Sequence, residues 1–154
     1  MAKQNQANFQ PVIKNRQAEF QYFLLVRFQA GLVLTGTEIK SIRLGKVQLQ
    51  DAFCLFQGGE LWIRNMQISP YEQGNLYNHD PKRARKLLLT ARELKKLKTR
   101  MEEKGLTIIP VKIYFSERNM AKLEISLAKG KKFYDKRESL KEKDVKRSLE
   151  RERE

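Results

Sequence analysis

Apolar positions along this chain alternate more often than they follow a helical period. "FQYFLLVRF" (residues 20–28) and "AGLVLTG" (residues 30–36) are rich in β-branched and aromatic residues and bounded by glycine. They read as two strands joined near Gly31. "AFCLFQ" and "ELWIRNMQI" are two more, with Gly58-Gly59 between them as a hairpin signal. Ile109, Val111, Ile113 and Phe115 alternate with other residues, as do Ala121, Leu123, Ile125 and Leu127. "SERNM" is the turn between these last two strands, and Pro110 sets its strand at an edge or a bulge.

Two segments change period. In "GTEIKSIRLGK", Ile39 and Ile42 share a helical face, Thr37 stands as the N-cap, Glu38 suits the positive first turn and Gly45 ends the segment. "TARELKKLKTRMEEKG" pairs Thr90 with Glu93 as a capping box and stops at Gly105. Its apolar stripe is Ala91, Leu94, Leu97 and Met101. About six strands with two helices inserted, and no βαβ rhythm, predict a mainly β fold. The first choice is an antiparallel barrel of the oligonucleotide-binding type with two or three peripheral helices.

The two ends lie outside this pattern. Residues 1–12 read as a flexible lead, residues 13–129 as the barrel domain and residues 130–154 as a charged tail. The tail holds ten Lys/Arg and seven Asp/Glu, with Leu140, Val145 and Leu149 its sole aliphatic residues after Tyr134. Such a stretch cannot bury enough surface to offset its ordering entropy. Ser139 and Glu142 make a capping-box pattern, and Glu142–Lys146 is a favourable i,i+4 pair. The expectation is a tail that is disordered when free and helical against a partner, roughly 20 Å long from Leu140 onward.

Charge then narrows the partner. The formal net charge is +14, and the tail's ten cations against seven acids leave +11 on the first 129 residues. A basic body points to a polyanion, because Lys and Arg at phosphates release condensed counterions. Cys54 is the single cysteine and sits in an apolar run, so a buried structural thiol and a reducing cytoplasm are expected. The polar N-terminus lacks a signal-peptide pattern, and the longest apolar run is too short to span a bilayer. A soluble, cytoplasmic monomer with no cofactor and no membrane partner is expected.

Catalytic chemistry finds little support. His79 is the single histidine, which excludes multi-histidine metal sites, and there is no phosphate-cradling glycine loop. Binding chemistry is better represented. "KRARK" places Lys82, Arg83, Arg85 and Lys86 directly before "LLL", which favours an ordered phosphate-binding surface over a solvated charge run. Tyr71, Tyr77 and His79 just upstream either stack on splayed bases or cover the barrel mouth. His79 reads as a polar loop residue, with contact to phosphate or ribose as the sharper alternative. Glu38 either serves the helix N-terminus or accepts from a base N–H or a 2′-hydroxyl.

The order "NRQAEFQY", "GTEIKSIR", "DAF", "ELWIRNMQISPYEQGN", "NHDPKRARKLLL", "KGLTIIPVKIYF", "AKLEISLAKGKKFYDKRE" resembles the small protein B family. These are the transfer-messenger RNA (SsrA) binding proteins of bacterial ribosome rescue. The likeness runs from about Asn15 to Glu138. Where the family usually carries acidic residues at the end of the first strand, this chain reads Val26, Arg27 and Gln29. The resemblance implies an oligonucleotide-binding barrel that grips the tRNA-like domain of transfer-messenger RNA at its elbow. It implies RNA-facing roles for Asn15, Arg16, Glu38, Lys40, Arg43, His79, Arg83, Arg85, Lys86 and Lys122, with Leu88 supporting that surface. It also implies a tail that enters the decoding centre of the small ribosomal subunit and the mRNA channel. Lys131, Lys132, Tyr134, Asp135, Lys136, Arg137, Lys141, Lys143, Lys146 and Arg147 would carry that contact. A ribosomal-protein-like rRNA binder shares the basic body and tail but not the collinear motifs, and an enzyme such as a nuclease lacks a general base and a metal cluster.

Overall fold

A computed structural model of the protein describes residues 10–131. The lead up to residue 9 and the tail from Lys132 onward, with the expectations of disorder and induced helix placed on them, lie outside the described residues. In chain order the elements are β1 (Ile13–Lys14), α1 (Ala18–Gln21), β2 (Tyr22–Leu32), α2 (Gly36–Arg43), β3 (Val47–Gln48), β4 (Phe53–Gln57) and β5 (Glu60–Arg64). There follow β6 (Gln67–Ile68), a 3-10 turn (Glu72–Tyr77), β7 (Arg85–Leu88), α3 (Ala91–Lys104), β8 (Thr107–Phe115) and β9 (Ala121–Gly130).

Six strands close on themselves in the order β8-β4-β5-β7-β2-β9, with β9 pairing back to β8. Every pairing is antiparallel. The predicted barrel is therefore present, with three helices around it, β1 added alongside β8, and a separate β3–β6 pair. Closure removes free edges, so main-chain donors that would otherwise face water are paired around the ring.

Alternation places the core. Leu61 and Ile63 of β5, Leu87 of β7, Ile108 and Ile113 of β8, and Leu123, Ile125 and Leu127 of β9 point inward and are buried. Ile42 of α2 and Leu97 of α3 join the same cluster. Each such side chain contributes about 1.5–3 kcal/mol on burial. Of the stripe expected on α3, Leu97 is fully buried and Leu94 and Met101 half-buried, whereas Ala91 is exposed. Gly105 takes φ 61° at its C-terminus, as the stop signal requires.

Three local expectations change. First, β2 is one strand of eleven residues rather than two joined at Gly31. Gly31 is needed for packing, not for a turn: a Cβ there would lie 3.2 Å from the Cβ of Leu88 on β7. Second, the N-cap of α2 is Thr35, not Thr37. Thr35 Oγ1 accepts from the Glu38 N–H at 3.4 Å, and the Thr35 N–H donates to Glu38 Oε1 at 2.8 Å. Third, "ELWIRNMQI" breaks at Asn65, whose φ of 61° turns the chain so that β6 leaves β5 and pairs with β3. Other signals hold: Gly58 and Gly59 take φ 62° and 78° in the β4–β5 hairpin, and β8 is bulged between Pro110 and Lys112.

Candidate nucleic-acid interface

The capping box that starts α2 also aims Glu38 inward. Its side chain is fully buried and accepts from three donors. Thr35 N–H is one; Arg83 Nη2 donates to Oε1 at 2.6 Å, and Arg85 Nε donates to Oε2 at 2.5 Å. Arg85 on β7 is itself fully buried. Its Nη1 donates to the Met66 carbonyl, and its Nη2 to the carbonyls of Asp80 and Pro81 at 3.3 and 3.2 Å. Burial of Glu38 opposes its charge, but the hydrogen bonds from Arg83, from Thr35 N–H and from Arg85 outweigh it and hold the carboxyl below its ordinary value. Burial pulls the Arg85 guanidinium down, against the pull of the Glu38 carboxylate.

This arrangement corrects two expectations. Glu38 has no surface with which to accept from a base or ribose, and Arg85 none to offer phosphate. Both instead fix the geometry of what surrounds them, because an ion pair this buried tolerates little movement. Arg83 is intermediate: it is partly exposed, bonded to Glu38 and to the Val33 carbonyl at 3.2 Å. The surplus cation of the trio thus lies toward solvent at Arg83.

His79 is also held by the fold. Its Nε2 lies 2.9 Å from the Ile68 carbonyl, so it donates there, and Nδ1 accepts from the Thr37 hydroxyl at 2.9 Å. Both nitrogens are occupied, tying the loop to α2 through Thr37 and to β6 through Ile68. Asn78 reinforces the tie by bridging the Tyr71 N–H and carbonyl. Tyr71 is half-buried, and Lys40 Nζ sits 5.4 Å from its ring centroid. The Tyr77 side chain lies outside the described set.

The remaining predicted residues are spread over the outer face. Lys40 and Arg43 are exposed on α2, with the Arg43 guanidinium 6.0 Å from the Phe115 ring. Lys86 pairs with Glu60 at 2.8 Å. Lys122 on β9 lies opposite Gly31, which in turn lies opposite Leu88 on β7, so the two side chains flank a strand glycine. Leu88 is half exposed and covers Gly31. Arg16 is exposed, whereas Asn15 is anchored by its N–H to the Val111 carbonyl at 2.8 Å and its Nδ2 to the Pro110 carbonyl at 2.9 Å. Lys131 ends the described chain, donating from N to the Gln21 carbonyl and from Nζ to the Glu19 carbonyl. The tail residues from Lys132 to Arg147 lie outside the described residues.

Cys54 faces the core on β4, and burial pushes its thiol far up. Among the described residues, no group of three His, Cys, Asp or Glu is placed to hold a metal, and no helix is long and apolar enough to cross a membrane.

The profile of the SmpB protein family matches residues 12–154, which spans the whole barrel and the hub around Glu38. The chain belongs to the SmpB family. Similar proteins within the SmpB family include the SsrA-binding protein of Cytophaga hutchinsonii, 57% identical over 139 residues, 90% of this chain and 91% of that one. The SsrA-binding protein of Carboxydothermus hydrogenoformans is 53% identical over 140 residues, 91% of this chain and 93% of that one. A solved SmpB-family chain, described as "tmRNA-SmpB: a journey to the center of the bacterial ribosome", superposes with TM-score 0.67 at 50% identity. The likeness covers 80% of this chain and 86% of the solved one.

Sequence reading missed Thr35, Met66 and the Arg27–Glu124 pair between β2 and β9. A second S/T-x-x-E spacing, Thr35 to Glu38, was legible as a capping box. The role of a main-chain carbonyl such as that of Met66 has no sequence signature.

Proposed function

We propose that this protein binds the tRNA-like domain of transfer-messenger RNA and carries it to stalled ribosomes for trans-translation. It acts as an RNA-binding adaptor and not as an enzyme. The observation that carries this reading is the extent of the likeness: relatives named for SsrA binding align over about nine-tenths of both chains. The reading is therefore not borrowed from a shared fragment.

In this reading the partly or fully exposed cations Arg16, Lys40, Arg43, Arg83, Lys86 and Lys122 face phosphate. Glu38, Arg85 and His79 hold α2 and the loop before β7 in the register those contacts need. Preorganisation of this kind lowers the ordering cost at binding. Beyond the barrel, the tail from Lys131 through Arg147 enters the empty mRNA channel and the decoding centre, where ribosomal RNA supplies the partner its own composition lacks.

The test is a tagging assay with purified stalled ribosomes and alanyl-charged transfer-messenger RNA. Addition of the protein restores peptide tagging, and it binds the isolated tRNA-like domain in preference to bulk tRNA. Tagging that proceeds equally without the protein would refute the proposal.

A further inference from the structure

A cavity of about 300 Å³ opens on the outer face of the barrel where residues 14–16 and α1 cross β8, β9 and β2. A row of outward side chains runs across four strands beneath it: Lys14 opposite Lys112, Lys112 opposite Glu124, and Glu124 opposite Gln29. Arg16, Arg27 and Glu19 complete the rim, with Glu19 Oε1 3.9 Å from Arg27 Nη2. The four cations of the rim outnumber its one carboxylate, Glu19, yet the floor presents acceptors.

Those acceptors are specific. Tyr114 donates its hydroxyl to Gln29 Oε1, which turns Gln29 Nε2 toward Glu124 Oε1 at 3.1 Å. Burial, and then the Glu124 charge, push the Tyr114 phenol up, so it stays a donor. One Glu124 oxygen is thereby engaged. The other, Oε2, is buried without a hydrogen-bond partner, with Arg27 Nη1 3.6 Å away. Glu124 as a residue is 8% exposed. Asn15 Oδ1 is likewise buried without a partner, because Asn15 Nδ2 is committed to the Pro110 carbonyl. Two buried acceptors without a hydrogen bond, one of them at ion-pair distance only from Arg27, are costly and point to a ligand that brings donors.

The rim excludes several classes. A metal ion or an ammonium would meet Lys14, Arg16, Arg27 and Lys112. A bare phosphate would meet the Glu124 carboxylate. What fits is a molecule with negative charge at its periphery and N–H donors at its centre, which describes a nucleotide. Among bases, guanine presents N1–H and an N2 amino group side by side on its Watson–Crick edge; uracil offers one N–H between two carbonyls, and adenine and cytosine set their amino group beside a ring acceptor. The volume matches a single small-ligand site.

We infer that this cavity receives one unstacked guanine nucleotide of bound RNA, its Watson–Crick edge donating to Glu124 Oε2 and Asn15 Oδ1 and its flanking phosphates meeting Lys14, Arg16 and Lys112. The assignment rests on the RNA-binding reading above, and the cavity is continuous with it: Lys122 lies two residues from Glu124 on the same face of β9.

The test uses labelled single-stranded RNA pentamers, AAGAA, AAIAA and AAAAA, titrated by fluorescence anisotropy at low salt. Inosine keeps N1–H and lacks the N2 amino group. AAGAA binds about tenfold more tightly than AAAAA, and AAIAA loses most of that gain. Glu124→Met removes the acceptor at similar size and binds AAGAA no better than AAAAA, with its fold checked by thermal melting. Should that variant not fold, the Gln29 side-chain amide resonances of the unaltered protein report instead, shifting with AAGAA and not with AAAAA. Equal affinity for all three pentamers, or a guanine preference that survives Glu124→Met, overturns the assignment. The isolated tRNA-like domain is titrated in parallel. Tight binding of it without guanine preference overturns the cavity alone. Loss of that binding with guanine preference intact overturns the functional reading and upholds the cavity.

Discussion

Arg85 Nε lies 2.5 Å from Glu38 Oε2, and neither side chain reaches solvent. A residue that sequence places in a phosphate-binding run is thus an internal strut. That single relationship reassigns what substitutions in this region do.

Glu38→Ala leaves Arg85 buried without its counter-charge. The expected loss is about 3–5 kcal/mol, seen as a melting temperature lower by about 10 °C or more. RNA affinity falls with it. The Glu38→Ala/Arg85→Met pair loses less stability than the two single changes together, because the orphaned charge is gone. Additive losses in a thermal-melt cycle would contradict this account.

Acid exposes the same contact. The Glu38 carboxyl titrates below its ordinary value of 4.5 when folded, so its stabilisation is full above that value and is lost as pH falls through the lowered one. The urea midpoint of the unaltered protein therefore drops toward that of Glu38→Gln as pH is taken from 7 to 3. A gap between the two that stays constant with pH would show that the charge is immaterial.

Salt separates struts from contacts. Lys40→Ala and Lys122→Ala each lower the salt dependence of RNA binding by about one phosphate contact, with little change in melting temperature. Arg85→Ala lowers the melting temperature, and its effect on the slope follows from unfolding. Charge reversal at Arg83 acts in both ways, because Arg83 is bonded to Glu38 and partly exposed. Binding isotherms between 50 and 200 mM salt distinguish these patterns.

Cys54 stays unreactive in the native protein. Its thiol is buried on β4 and held in the neutral form by desolvation. A thiol reagent at neutral pH modifies it at the rate of unfolding, and at full speed in guanidinium chloride. Immediate reaction in native buffer would disprove the buried placement.

Truncation after Lys132 leaves the barrel and its RNA affinity nearly intact and abolishes tagging. Tagging by the truncated protein would refute the tail's role.

How far the sequence carried this picture depended on the kind of signal. Period-two runs located β8 and β9, since an apolar residue at every second position has one buried face available to it, and the Gly58-Gly59 hairpin signal located β4 and β5. Gly31 misled because glycine marks turns by conformational freedom, whereas here it marks a lack of side chain beneath Leu88. The site was half legible. "KRARK" named the right strand, but alternation sends Arg85 inward and Lys86 outward, and a run of cations does not reveal its own phase. Arg27 stood out in the sequence as a cation where the resemblance implied acidic residues. Its answer, Glu124, lies 97 positions along the chain on β9, a pairing that strand register alone brings within 3.6 Å.

Lys131 has one further consequence. Its main chain and ammonium group grip the carbonyls of Gln21 and Glu19, and its Nζ sits 5.0 Å from the Phe23 ring. The point where the chain leaves the barrel is therefore not a free swivel. Whatever takes hold of the residues beyond it gains leverage on the longest strand pair, β2 with β9, and through Gly31 on the neighbourhood of Leu88 and Lys122. On the proposed function, a pull on the tail would reach the proposed RNA-facing residues through the β2–β9 pair, so the two contacts would be mechanically linked.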